Sequence, residues 1–149
     1  MIDREKIGQI SEAIRVEVEA GQLRFFAKAT GERNPVYTDE NAAQAAGCES
    51  LPAPPTFAFT LSMARPDPLS RFTDLGIPLA RLLHGEQSFD YSGPILAGDV
   101  ITLQDRIVDV YQKQGGALEF IITETTGTNQ RGETVVRMTE TAVVRHGKQ

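Results

Sequence analysis

Few side chains in this 149-residue sequence could carry chemistry, and they fall into three groups. The first is Leu83-His84-Gly85-Glu86-Gln87. If that segment is a strand, His84 and Glu86 share one face while Gly85 and Gln87 take the other, so a His/Glu pair is available for proton transfer. A structural hydrogen-bonded pair is the competing reading. The second group is the turn Glu32-Arg33-Asn34-Pro35 with Tyr37 close behind it. Glu32 offers a carboxylate for general-base work or simply a solvated charge beside Arg33. Tyr37 offers a proton donor or, through its apolar ring, a wall. Asn34 and Pro35 suit turn geometry as well as they suit ligand contact. The third group is the start of an apolar segment at Thr56 and Phe57, where backbone N–H groups opening a helix lack intrahelical partners. Of the rest, His146 sits in the charged tail Arg145-His146-Gly147-Lys148-Gln149 and reads as solvated. Cys48 is the only cysteine, so it has no disulfide partner, and no Cys/His cluster of zinc-binding spacing exists. Neither metal nor cofactor is expected.

The elements that must hold these groups follow from periodicity. Ile14, Val16 and Val18 alternate with Arg15, Glu17 and Glu19, which predicts a half-buried strand broken at Ala20-Gly21. Leu23, Phe26, Ala27 and Thr30 recur at helical spacing, so residues 22–30 read as a helix closed by Gly31. Asp39 is placed to cap a second helix, Glu40 to Ala46, closed by Gly47. Three prolines fall within four positions in Leu51-Pro52-Ala53-Pro54-Pro55, which forbids helix there but suits Pro55 to the first turn of the next element. That element, Thr56 to Ala64, is apolar nearly all round and predicts a helix wrapped by protein. Residues 65–77, with Pro66, Pro68 and Gly76, read as an irregular excursion long enough to be a lid or a partner contact. From there the pattern is all strand: Leu82 to Tyr91, Val100 to Tyr111, Leu118 to Thr128 and Thr134 to Arg145, a meander joined by Gly-containing turns. The sum is an α+β domain spanning 1–149, an antiparallel sheet of about five strands around a central apolar helix.

Three ordered motifs, Phe26-Ala27-Lys28-Ala29-Thr30-Gly31-Glu32-Arg33-Asn34-Pro35-Val36-Tyr37, Ala53-Pro54-Pro55-Thr56-Phe57, and Leu83-His84-Gly85-Glu86-Gln87 through Pro94-Ile95-Leu96-Ala97-Gly98-Asp99, give the chain a family resemblance. It resembles the MaoC-like (R)-specific enoyl-CoA hydratases, in particular their FAS1-like dehydratase N-terminal branch. The resemblance implies a hotdog fold, a dimer of hotdogs, and reversible addition of water to an enoyl thioester of CoA or acyl carrier protein. It also implies an Asp and a His, five residues apart around the Asn-Pro turn, that activate the water. Here those positions hold Glu32 and Tyr37. Glutamate keeps the carboxylate with one methylene more reach, and catalytic geometry is sensitive to shifts of about 1 Å. A phenol with an ordinary pKa of about 10 is protonated at neutral pH and makes a poor base. The resemblance further implies that the N–H groups near Thr56 and Phe57 polarise the thioester carbonyl, although Pro55 contributes no donor. Glu86 and Gln87 belong to the third motif and are carried as substrate-side candidates with Asn34 and Pro35.

The expectation is a hotdog subunit of an (R)-specific enoyl-thioester hydratase or dehydratase, shaping the acyl pocket while a second hotdog supplies the dyad. A self-sufficient homodimer using Glu32 or His84/Glu86, and an acyl-CoA-binding hotdog without chemistry, stand as alternatives. A formal charge of −5 with no Lys/Arg block argues against nucleic acid. The charged start Met1-Ile2-Asp3-Arg4-Glu5-Lys6, and the lack of about 20 consecutive apolar residues, predict neither secretion nor a membrane span, hence a cytoplasmic setting.

Overall fold

Residues 2–146 are described by the computed structural model, and what they form follows from where the chain alternates and where it caps. The first strand, β1 (Ile14–Glu17), is short because Val18 turns inward and its backbone is taken by the Asp99 carbonyl at 2.8 Å. Ala20-Gly21 ends the strand by opening helix α1 (Ala20–Thr30), two residues earlier than the periodicity implied. Leu23 and Ala27 are its buried stripe. Gly31, at φ 73°, closes it: the Glu32 N–H reaches back to the Ala27 carbonyl at 2.9 Å, which satisfies a helix-end carbonyl. Asp39 caps α2 (Glu40–Ala45) as expected, accepting the Ala42 N–H at 2.9 Å.

The central helix α3 (Phe57–Ser62) is one and a half turns, with Phe57, Ala58, Leu61 and Ser62 buried. Pro55 precedes it and is not in its first turn; the cap is Thr56, at φ 75°. A β-branched residue in the left-handed region is strained. Residues 65–77 contain a short helix, α4 (Ser70–Thr73). They fold back onto the sheet, burying Phe72 and Ile77 against Val110, Ile121, Ala142 and Val144.

Strands β2 (Leu82–Tyr91), β3 (Val100–Lys113), β4 (Leu118–Thr128) and β5 (Thr134–Arg145) match the expected runs to within two residues. With β1 they form one antiparallel sheet in the order β1-β3-β4-β5-β2. Only β3, β4 and β5 are a true meander. β2 lies at the edge beside β5, far from β3, because residues 92–99 cross the sheet and tie to the proline segment. Ala53 N–H donates to Ile95 O at 2.7 Å and Ala97 N–H to Leu51 O at 2.8 Å.

The inward face of the sheet carries Ile101, Leu103, Val136 and Met138, which close on α1, α2 and α3. Gly127 sits among them because a Cβ there would lie 2.7 Å from Val136 Cγ1. A bulge at Gly85 shifts the β2 register, so that His84 faces Ala142 while Glu86 faces Thr141. Neighbours on a strand point to opposite faces. His84 and Glu86 therefore do not share a face, contrary to the simple alternation, and Gln87 joins His84 on the inner side opposite Glu140.

Candidate functional site

The Asn-Pro turn is assembled mainly from its own backbone. Glu32 Oε1 accepts the N–H groups of Arg33 and Asn34, both at 2.8 Å, so this carboxylate is turned onto the loop that bears it. Asn34 Oδ1 accepts the Val36 N–H at 3.1 Å, and Pro35 opens the single 3-10 turn Pro35–Tyr37. Arg24 pins the loop to α1 by donating to Thr38 O at 3.1 Å and pairing with Glu40 at 3.0 Å.

What the turn presents is Tyr37. With Val36 it walls a cleft of about 570 Å³ whose other sides are Ala46 and Cys48, the proline segment (Pro52, Ala53, Pro55), and Tyr91 with residues 92–95. Tyr91 is the group that the sequence reading missed. Its hydroxyl accepts the Thr56 N–H at 3.2 Å, and its ring stacks on Phe89 at 6.1 Å. Burial raises the Tyr91 pKa and the Thr56 N–H offsets part of that, so the phenol stays protonated at neutral pH. Phe57 N–H is likewise taken, by Pro54 O at 3.1 Å. The two N–H groups expected to be free at the head of α3 are both occupied. Phe57 itself is a core residue, packed edge-to-face on Phe26 at 5.3 Å.

His84 lies elsewhere, on the half of the inner face covered by residues 65–77. Its Nε2 is 3.2 Å from Gln87 Oε1 and 3.9 Å from Glu140 Oε1, and its ring tilts against Phe59 at 5.5 Å. Glu140 is held in turn by Arg71. Arg71 also faces Asp105 at 3.8 Å, and Asp105 binds Arg65 at 3.0 Å and the Thr125 hydroxyl at 2.8 Å. This buried network joins the 65–77 segment to β3 and β5. Glu86 is exposed on the outer face and takes no part.

A third carboxylate, Glu119, is 1% exposed and ties both ends of the described chain to the sheet. It accepts the Ile2 N–H at 2.9 Å and lies 3.0 Å from His146 Nε2. Burial pushes its carboxyl up, but the hydrogen bonds from Ile2, His146 and Gln112 outweigh that, and its pKa is lowered. His146 is thus a bonded, half-buried residue and not a solvated one; positions 147–149 of that tail lie outside the described residues. Among the described residues no group of three His, Cys, Asp or Glu is placed to hold a metal ion, and no helix is long and apolar enough to cross a membrane.

The architecture is shared with known proteins. A family model described as "FAS1-like, dehydratase domain region" matches residues 5–138. A UPF0336 protein of Thermobifida fusca is 35% identical over 145 residues, covering 97% of this chain and 94% of that protein. The match to a UPF0336 protein of Streptomyces avermitilis, 38% identical, spans 66% of each chain. Among solved structures, a chain of the truncated HadBC (3R-hydroxyacyl-ACP dehydratase) complex from Mycobacterium tuberculosis superposes with a TM-score of 0.81 at 28% identity, covering 92% of this chain and 96% of that one. A MaoC-like dehydratase superposes at 0.84 with 24% identity, covering 95% of this chain and 43% of that longer chain. With the five-stranded antiparallel sheet closed around α3, these likenesses establish that the chain has the hotdog fold and belongs to the FAS1-like dehydratase-domain family.

Proposed function

We propose that this chain is a pocket-shaping subunit of an (R)-specific enoyl-thioester hydratase or dehydratase, acting on acyl-CoA or acyl carrier protein thioesters. In this reading the water-activating Asp and His come from a second hotdog paired with it. The observation that carries it is the lining of the cleft beside the Asn-Pro turn: Tyr37, Tyr91, Cys48, Ser92 and apolar groups, with no carboxylate and no imidazole. Hydration of an enoyl thioester needs a base for the water proton and an acid for the carbanion. Protonated phenols supply only the second. Glu32, at the position where a carboxylate is expected, is committed to its own loop backbone. Its similarity to a chain of a dehydratase complex supports a partnered assembly, and the edge strand β2 offers unpaired backbone groups for one. We infer a single hotdog domain over 1–149 and a cytoplasmic setting.

The test is hydration of crotonyl-CoA by the purified chain, alone and co-purified with a companion hotdog bearing the intact Asp/His pair. Loss of a positioned base removes a factor of about 100 to 10,000. The chain alone should sit near background and the pair should turn over. A lone chain working at about 10 per second, an ordinary enzymatic rate, refutes the proposal. His84→Ala would then show whether the His84, Glu140, Arg71 series is the active group.

A further inference from the structure

Two phenols line the cleft, and they differ in how they are held: the Tyr37 hydroxyl makes no hydrogen bond among the described residues, whereas Tyr91 is fixed by one and keeps its own proton to give. Tyr91 Oη accepts the Thr56 N–H at 3.2 Å, and its own proton meets no acceptor among the described residues. A hydroxyl that accepts one hydrogen bond becomes a better donor of the next, because the two bonds polarise one another. Tyr91 lines the cleft opposite Val36 and Tyr37, and the residues around it are apolar or small: Pro52, Ala53, Pro55, Gly93, Pro94 and Ile95. At this open position the bond competes with water, so an O–H donor favours ligands that carry an acceptor by the modest net value of one hydrogen bond. The backbone amide itself is withdrawn behind the phenol. The helix that Thr56 caps is only six residues long, so its dipole adds little.

We propose that Tyr91 is the carbonyl donor of this cleft: its O–H, backed by the Thr56 N–H, seats the thioester C=O of the bound acyl group. This rests on the acyl-thioester reading above and adds a specificity-determining residue to it. The position of the phenol places the carbonyl at the mouth of the cleft, since Tyr91 is 41% exposed, and the acyl chain then runs inward along Pro52, Ala53 and Ile95. Nothing is transferred to or from Tyr91; it donates a hydrogen bond and keeps its proton.

The experiment compares butyryl-CoA with S-butyl-CoA, the thioether in which the carbonyl is replaced by a methylene, by calorimetric titration of the full-length chain. One hydrogen bond is worth a factor of about 3 to 10 in affinity. Wild type should prefer butyryl-CoA by that factor, and Tyr91→Phe should bind the two equally while retaining the thioether affinity. The phenylalanine ring preserves the stack on Phe89, so folding is not at issue, and an unchanged melting temperature confirms it. A preference that survives Tyr91→Phe, or wild type that binds both ligands equally, overturns the assignment of Tyr91 and leaves the acyl-thioester reading standing. Failure of wild type to bind either ligand, alone and with its companion, overturns both.

Discussion

Replacing Asp105 by asparagine removes the one negative charge that Arg65 and Arg71 share while keeping the side chain's shape. Asp105 Oδ2 is 3.0 Å from Arg65 and 3.8 Å from Arg71, with the three side chains 7%, 14% and 20% exposed. Breaking a buried ion pair by removing one partner costs about 3–5 kcal/mol, because the charge left behind has lost its water without a counter-charge. Three features put this case at the low end. Arg71 keeps Glu140, Arg65 keeps the Glu12 carbonyl at 3.3 Å, and an asparagine oxygen can still accept from Thr125. A loss of about 3 kcal/mol follows. With a urea slope of about 2 kcal/mol/M, the unfolding midpoint should fall by roughly 1.5 M at unchanged slope. Thr125→Val, which removes the hydroxyl's bond to the carboxylate and leaves both ion pairs in place, should cost about 1.5 kcal/mol. A double-mutant cycle of Asp105→Asn with Arg65→Met should return a coupling above about 1 kcal/mol. If Asp105→Asn stays within about 0.5 kcal/mol of wild type, as a plain surface change would, these charges are hydrated and do not hold residues 65–77 to the sheet.

Three further outcomes follow from packing and charge. Gly127→Ala should destabilise by about 1–3 kcal/mol, since the added methyl would lie 2.7 Å from Val136 and 3.2 Å from Leu103 in a filled core; an unchanged melting temperature would show that the core can give way. Phe57→Asp should abolish cooperative unfolding in calorimetry, because a carboxylate would replace a ring that is 1% exposed. The lowered pKa of Glu119 means that its contribution is fully present above the ordinary carboxylate range and is lost as the pH falls through the folded value. Melting temperature against pH should therefore flatten on the acid side in Glu119→Gln, with a lower value at pH 7, and an acid limb as steep as wild type's would remove Glu119 from that role.

How much of this was legible can be seen at particular residues. The last four strands, the caps at Gly31 and Asp39, and the central apolar helix follow from alternation and from residues with one conformational use. The position of β2 did not follow, because strand order depends on residues 92–99 bonding to Leu51 and Ala53, which no local pattern announces. The His84/Glu86 pairing failed for a subtler reason. Period-two reasoning holds only without a bulge, and Gly85, whose hypothetical Cβ would be 3.0 Å from the Thr141 carbonyl, is where the backbones press together. Asp105, Glu119 and Glu140 did carry a readable signal. Each occupies the inward phase of a strand, as in Ile101, Leu103, Asp105 and in Met138, Glu140, Ala142, so each requires a partner. Their partners, Arg65 and Arg71 of the 65–77 segment and His146 after β5, lie far from them in sequence, and that pairing exists only in three dimensions.

The inner face is thereby divided, and the division bears on function. The half closed by α1, α2 and α3 has an all-apolar core, and its cleft offers phenols, a thiol and a serine. The half beneath residues 65–77 holds Asp105 and Glu140, and these are paired with Arg65 and Arg71 into a clamp. An enzyme that hydrates a double bond concentrates an ionisable base where the substrate lies. In this chain Asp105, Glu119 and Glu140 tie peripheral segments to the sheet, and Glu32 beside the Asn-Pro turn serves the turn. On the proposed reading, this leaves a cleft with phenols that could orient a thioester and neither carboxylate nor imidazole in its wall. Tyr91 stands at the end of the edge strand β2, so on the proposed reading a second subunit meeting that edge would lie beside the cleft.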